Sequence, residues 1–535
     1  MFNQILEPAG QSLALTILAA LVPLAVLLFL LAAVRMTAWL ATIIASVVTI
    51  IVGVLVWKAP AALVLKAYLY GALQGVWTID WIVLWGLVIF NTLVLTGDFD
   101  HFKNWMVNHA TVDIRIQTLM LAWSFGALME GLVGFGYPWA VVVPILTGLG
   151  IADLEAIRVA ALANNAPVSY GALGAPILAL AAVTGLPLLQ LSASVGHIVA
   201  VLAILPPWVL LYLVSGWQGL TEAWPLAIIA SLSYIAGQWP VARYLGPYMP
   251  DLSGAILSFW ALFFFIKIWR PKTIRSFGGQ LLTEQEAQAA DPPLLRSEAL
   301  RAWLPFVVLL IVVVAWTGPW SHLPAKSMYK VAVTAVDPIS HKSHPSAFNF
   351  TPLNGGTSIL ASWLLIVLLL RPSFDTLKRV FARTFQQMWG AFLVALFIFG
   401  VAYVFVFTGM ATSLGYGLSK VGWGFVAIAP ILGWIGVALS GSNTSTNAMF
   451  GPVQAVTGRL LHMPTLLLPS MNSVGAEVGK PIAPQTASVG VSTSRFVRSE
   501  GQVIRHNMSW TLIILAYLIL IGLFFYWVFP NVMQT

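Results

Sequence analysis

The sequence predicts an all-α, polytopic membrane protein of about 12 transmembrane segments, with two inverted repeats that contain broken helices or re-entrant hairpins. Three observations predict it. The 535 residues are 59% hydrophobic and 8% charged, with a mean hydropathy of +0.89, where a soluble domain carries about 25% charged residues. Apolar runs of about 20 residues, enough to cross a bilayer at about 1.5 Å per residue, recur along the chain. Two further regions, 114–185 and 421–494, are apolar but repeatedly interrupted by Gly, Pro, Asn and Ser.

So few charges cannot cover a soluble fold of this length, which excludes a cytosolic enzyme, a nucleic-acid-binding domain and a disordered chain. The absence of cysteine excludes disulfides, iron–sulfur clusters, thiolate zinc sites and cysteine nucleophiles. The net charge of +8 fits cationic loops that orient spans.

Uninterrupted spans are expected near 11–34, 38–57, 66–96, 192–214, 222–240, 252–269, 301–317, 353–370, 384–409 and 506–529. The first is too long for a signal-peptide core and lacks a basic flank ahead of it, so it reads as a retained span. Arg35, the cluster Lys267, Arg270, Lys272, Arg275, Arg296 and Arg301, and the cluster Arg371, Lys378, Arg379 and Arg383 place their loops in the cytoplasm. The polar stretch 318–352 then lies outside despite Lys326, Lys330 and Lys342, and both termini face outside with it. The expected organisation is N-terminal spans over 1–59, a first transport repeat over 60–220, connecting helices over 221–371 with a linker at 270–300, and a second repeat over 372–535.

The two interrupted regions resemble each other. LVLTG at 93–97 recurs as FVFTG at 405–409, and GALMEGLVGFGYP at 126–138 is matched in place by SGSNTSTNAMFGP at 440–452. Asn164, Gly171 and Pro176 recur as Asn472, Gly479 and Pro484 at one constant offset. Basic residues give the two copies opposite orientation: Lys103 and Arg115 follow the helix entering the first, whereas Arg371–Arg383 precede the helix entering the second and Arg495, Arg498 and Arg505 close it. Inverted repeats of this kind are a signature of secondary transporters, with a site at the midplane between them.

Gly131, Gly134, Gly136 and Pro138 cannot sit together in a regular span, and neither can the polar run Ser440–Asn447, which includes Ser442, Asn443 and Thr444. Irregular backbone at membrane depth is tolerated where it is buried in protein or lines a wet cavity, and broken helices expose N-termini that suit a carboxylate. Small residues can instead serve close helix packing, but packing alone does not require two Asn and several hydroxyls in one run.

Intramembrane charges are costly and read as functional. Glu130, directly before the first break, is a candidate proton-binding acid. Lys480, in the second break, is the best countercharge for an anion, unless Glu477 three residues earlier neutralises it. Asn164, Asn165, Asn472 and Gln485 are neutral groups at break positions, suited to an α-hydroxyl or a carboxylate. Asp80, flanked by Trp, reads as an interfacial acid, and His506 beside Arg505 as a mark of the cytoplasmic boundary. Metal-ligand clusters, phosphate loops and nucleophile–base pairs do not appear in the sequence, so neither a metal nor a cofactor is expected, nor is catalysis.

FGALMEGLVGFGYP, NNAPVSYGALGAP, GWIGVALSGSNTSTNAMF and NSVGAEVGKPIAPQ together resemble the bacterial lactate permease family, which includes L-lactate and glycolate permeases. The resemblance spans nearly the whole chain. It implies proton-coupled symport of small 2-hydroxymonocarboxylates across the inner membrane. Glu130, Gly131, Gly134, Gly136 and Pro138 match one family element. Asn165, Pro167, Gly171, Gly174 and Pro176 match a second; Gly441, Ser442, Thr444, Ser445 and Asn447 a third; Gly479, Lys480, Pro484 and Gln485 a fourth. The chain departs from the pattern at Asn443, where the family carries Asp, so the coupling acid is expected at Glu130 or Glu477. A sodium-coupled carboxylate carrier or cation/proton antiporter is the alternative within transport, and an integral-membrane enzyme the alternative outside it. The expected partners are a small organic anion, a proton and the lipid bilayer, with no nucleic acid; the oligomeric state is left open.

Overall fold

A computed structural model of the chain describes residues 2–109, 111–134, 136–282, 296–339, 348–492 and 499–534. Arg495, Arg498, Lys342, much of the 270–300 linker, and the side chains of Arg296 and Arg301 lie outside the described residues. The chain is a multi-pass helical membrane protein. Among the described residues, eight helices are long and apolar enough to cross a bilayer, or nine with the bent pair Asp153–Ala163 and Val168–Thr184 taken as one span. This differs from the expected count of about 12 for a physical reason. Further apolar helices, such as Trp303–Thr317 and Gly355–Leu370, are too short to qualify singly. Conversely, Leu188–Tyr244 runs for 57 residues, nearly three times the ~20 residues one crossing needs, and Gly216 breaks it at φ 68° and ψ −172°.

The helix Glu500–Trp527 serves as a ruler, because His506 and Trp527 stand about 32 Å apart along it. At the His506 end, its ring bonds Glu155 at 2.9 Å, and Trp510 meets Tyr212 near the Gly216 break. Just beyond that break, Glu222 joins Arg115, Thr273 and Arg275 in a hydrogen-bonded network. At the opposite end, Trp527 packs on Trp423. The backbone N–H of Leu466 donates to Met533, Arg459 pairs with Asp337, and Phe2–Asn3 adds a parallel strand to Ala335–Val336. Both termini therefore lie on the same face as the 318–352 stretch.

Against this ruler the first interrupted region resolves into a hairpin and a broken span. The hairpin starts beside Arg115 and descends through Ile114–Gln117, a π-helical stretch Thr118–Phe125 and Gly126–Leu132. It turns at Gly134 and Gly136, with φ of +67° and +81°, and returns as Tyr137–Gly148 to the face of Glu155. The span Asp153–Ala163 then runs inward, breaks through residues 164–174, and leaves as the rest of Val168–Thr184, bent by 66°.

The second region also forms a hairpin and a broken helix. Gly422–Ser440 enters beside Trp423, Gly441 turns the chain at φ +74°, and Asn443–Leu460 returns to the face of Arg459. Leu467–Gly479 follows, breaks at Lys480–Ile482, and continues as Pro484–Ser492.

The breaks are held by backbone geometry that ordinary side chains resist. Ala172, Leu173 and Gly174 are consecutively left-handed, at φ of 46°, 59° and 83°, a conformation that costs an L-residue about 1–2 kcal/mol. At Gly174 a Cβ would also meet the Pro247 carbonyl oxygen at 2.4 Å. Gly174→Ala is expected to cost at least about 1–3 kcal/mol in strain and clash. Gly148→Ala, where an added methyl meets nothing within 4 Å, should be neutral. Thermal unfolding of the two variants in detergent checks this; equal midpoints would contradict it.

Candidate functional site

The four breaks converge in the protein interior. The turn of the first hairpin abuts the first broken span, since a Cβ on Gly134 would stand 3.0 Å from the Ala172 Cβ. The turn of the second hairpin approaches the second broken span, where a Cβ on Gly441 would collide with the Gln485 side chain. Between them lies a small chamber of about 30 Å³, lined by Glu130, Gly134, Val168, Gly171, Ala172, Pro176, Gly441, Ser442, Asn443, Thr444 and Lys480. That is room for about two waters.

An ion pair forms part of the chamber wall. Lys480 Nζ donates to Glu130 Oε1 at 2.6 Å, and both side chains are buried. Asn164 Nδ2 donates to the other carboxylate oxygen at 2.9 Å. Gly171 makes room for the pair, because a Cβ there would sit 2.6 Å from Glu130 Oε1. The expected alternative of a Glu477–Lys480 pair is not formed. Three residues earlier on the same helix, Glu477 points instead to Ser169 of the first broken span, accepting from its N–H at 3.2 Å and its hydroxyl at 2.5 Å.

The remaining candidates fall into two groups. Ser442, Asn443 and Thr444 line the chamber at the start of a helix. Ser442 Oγ caps the N–H of Ser445 at 3.1 Å, leaving the N–H groups of Asn443 and Thr444 without a partner among the described residues, as a helix start requires. Asn443 Nδ2 donates to the Ser473 carbonyl while its Oδ1 has no partner among the described residues.

Behind them, Asn447 donates to the Pro176 carbonyl and to Ser473, and Asn472 donates to Asn447. These bonds tie the second hairpin to both broken spans. Asn165 is buried with neither amide atom partnered among the described residues. Gly131 and Gly136 do not line the chamber: Gly131 packs on Asp251 and Leu252, and Gly136 on Thr486 and Val489.

Gln485 lines a second, larger cavity of about 340 Å³ that shares Gly441, Ser442 and Thr444 with the chamber. Trp39, Tyr137 and Gln387 also line it. Asp80 does too, and here the expectation of an interfacial acid is corrected: its side chain is buried in the bundle. Asp251, not singled out by sequence, is a further buried acid, held by Tyr234 at 3.1 Å. No span-length argument marks it, because it opens the helix Pro250–Ile268 at a position where acids are ordinary.

Broken helices meeting at a buried charged chamber, with a cavity leading to it, define the class of multi-pass helical membrane transporters. The comparisons narrow this. The family model described as L-lactate permease matches residues 16–529, and the chain belongs to that family. It is 32% identical to the glycolate permease GlcA of Escherichia coli over 100% of both chains. It is also 32% identical to an L-lactate permease of Bacillus subtilis, over 99% of this chain and 100% of that one. Among solved structures, the MtrF efflux pump of Neisseria gonorrhoeae is similar over 84% of this chain and 82% of its own, at 13% identity and a TM-score of 0.46.

Breaking a buried pair by removing one partner leaves an uncompensated charge. Glu130→Gln and Lys480→Met are each expected to cost about 3–5 kcal/mol, whereas the double variant, with neither charge, should recover most of that loss. A thermal-unfolding double-mutant cycle reads this directly; additive losses would mean the pair does not exist in the membrane-extracted protein.

Proposed function

We propose that the protein is a secondary active transporter that carries L-lactate or a related small 2-hydroxymonocarboxylate such as glycolate into the cell, in symport with a proton. Membership of the L-lactate permease family supports the substrate class. The observation that carries the coupling is the buried Glu130–Lys480 pair at 2.6 Å.

The empty site is electrically neutral because the two charges cancel. An anion arriving alone would take Lys480 and strand the Glu130 carboxylate; a proton arriving alone would strand Lys480. Either state leaves one buried charge unpaired, at about 3–5 kcal/mol, or roughly 10²–10⁴ in population. With both bound, Glu130 is neutral and Lys480 pairs with the substrate carboxylate, so neutrality returns. The empty and doubly loaded forms are then the two that can rearrange, which is the rule a symporter needs. The amides of Asn164 and Asn443 and the helix-start N–H groups supply hydrogen bonds for the carboxylate and the α-hydroxyl.

The chamber is too small for a six-heavy-atom acid, so binding must part the hairpin turns, with Gly134 and Gly441 as the flexible points. We assign the proton to Glu130 rather than Glu477 because Glu130 lines the chamber and contacts the ammonium. The two interrupted regions, entering from opposite faces, act as the inverted repeats that rock about this centre. The basic clusters put the face of His506 in the cytoplasm and both termini outside, in the bacterial inner membrane.

Proteoliposomes with an inward proton gradient and no sodium are expected to concentrate L-lactate, and a protonophore should abolish this. Glu130→Gln should lose concentrative uptake yet still exchange labelled for unlabelled lactate, while Lys480→Met should lose both. Accumulation persisting in Glu130→Gln would remove the coupling role from that residue.

A further inference from the structure

The 340 Å³ cavity is a poor conduit for an anion in one respect, because an acid forms part of its wall. Asp80 ends a π-helical turn, Val76–Asp80, inserted in the long helix Ala61–Thr96, and such turns recur at functional sites. Its side chain is 3% exposed, and its Oδ2 has no hydrogen-bond partner among the described residues.

Among the described residues, the cavity's lining brings no countercharge. Trp39, Tyr137, Gln387, the serines at 440, 442 and 445, and Gln485 share the cavity, and of these only the Tyr137 phenol titrates, near pH 10 in its ordinary state. Arg383, from the helix Phe374–Thr408, acts on Tyr137 and does not line the cavity. On Asp80's other side, an apolar groove of Trp77, Trp81, Leu84, Phe381, Phe385 and Trp389 holds no second charge. Asp80 thus stands between a greasy groove and the opening through which a carboxylate would reach Ser442 and Thr444.

We propose that Asp80 is a second protonatable carboxyl of the transport path, distinct from the coupling acid, and that it must carry a proton for a carboxylate to pass between the cavity and the chamber. Protonated, it presents an acid hydroxyl to the passing anion. Ionised, it repels the anion in a confined space of low dielectric, which at about 10 Å is enough to slow passage about tenfold. The cavity reaches Trp39, at the helix end beside Arg35, so the control acts on exchange with that compartment. This inference rests on the transport reading above, but its first test does not.

The full-length protein in liposomes is treated with dicyclohexylcarbodiimide, an apolar reagent that adds to protonated carboxyls, and the labelled peptides are mapped across a pH series. Label at Asp80 is expected at acidic pH, falling about tenfold per pH unit once the carboxyl ionises. No label at Asp80 at any pH, while other carboxyls react, overturns the proposal. In Glu130→Gln, whose exchange needs no coupling proton, lactate exchange should still slow about tenfold from acidic to alkaline pH, and adding Asp80→Asn should remove that slowing. An unchanged pH profile after adding Asp80→Asn overturns the proposal as well. Should Asp80→Asn fail to fold, the wild-type labelling still decides. If Asp80 labels as expected but neither lactate nor glycolate exchanges in the wild type, the substrate reading falls and the protonatable carboxyl stands.

Discussion

A carboxylate and an ammonium 2.6 Å apart and away from water constrain everything around them, because neither charge is tolerable at membrane depth without the other. Their helices cannot be continuous. Glu130 lies one turn before the glycine break of the first hairpin and Lys480 begins the break of the second broken span, so the two charges meet only where both helices stop. The same stops release backbone groups that must be satisfied locally. Asn447 does so for the Pro176 carbonyl, and Asn472, Ser473 and Ser169 extend it into one connected side-chain set linking the second hairpin to both broken spans.

The pair is also the seam between the two interrupted regions. Glu130 and Asn164 come from the first and Lys480 from the second, and Glu477 reaches back across the same seam to Ser169. A seam made of ionic and hydrogen bonds over a small chamber differs in kind from the apolar packing elsewhere in the bundle. It can be opened by satisfying the same charges another way, which a proton and an organic anion together would do. Packing such as Gly237 against Ser253, where a Cβ would meet backbone oxygen at 2.5 Å, has no such substitute and is suited to remain rigid.

Much of this was legible in the residues. Composition gave the membrane class, and clustered Gly, Pro and Asn marked each break, because those residues cannot occupy a lipid-facing regular helix. Glu130 and Lys480 stood out since charges are so scarce. That they bond each other was not legible, being separated by 350 positions; the i,i+3 spacing favoured Glu477, whose direction is set by tertiary packing. Asp80 was misread because flanking tryptophans suit an interface and a buried π-turn equally well. Gly131 and Gly136 share the composition of the break but face neighbouring helices, a distinction that depends on which way each Cα faces rather than on residue type.

The central claim is that a proton and an anion jointly replace one buried ion pair. It is tested most directly by calorimetric titration of the purified protein with L-lactate in buffers of different ionisation enthalpy. The account predicts uptake of about one proton per anion bound in the wild type, and none in Glu130→Gln, whose affinity should no longer vary with pH. Lactate binding to the wild type without proton uptake would contradict it.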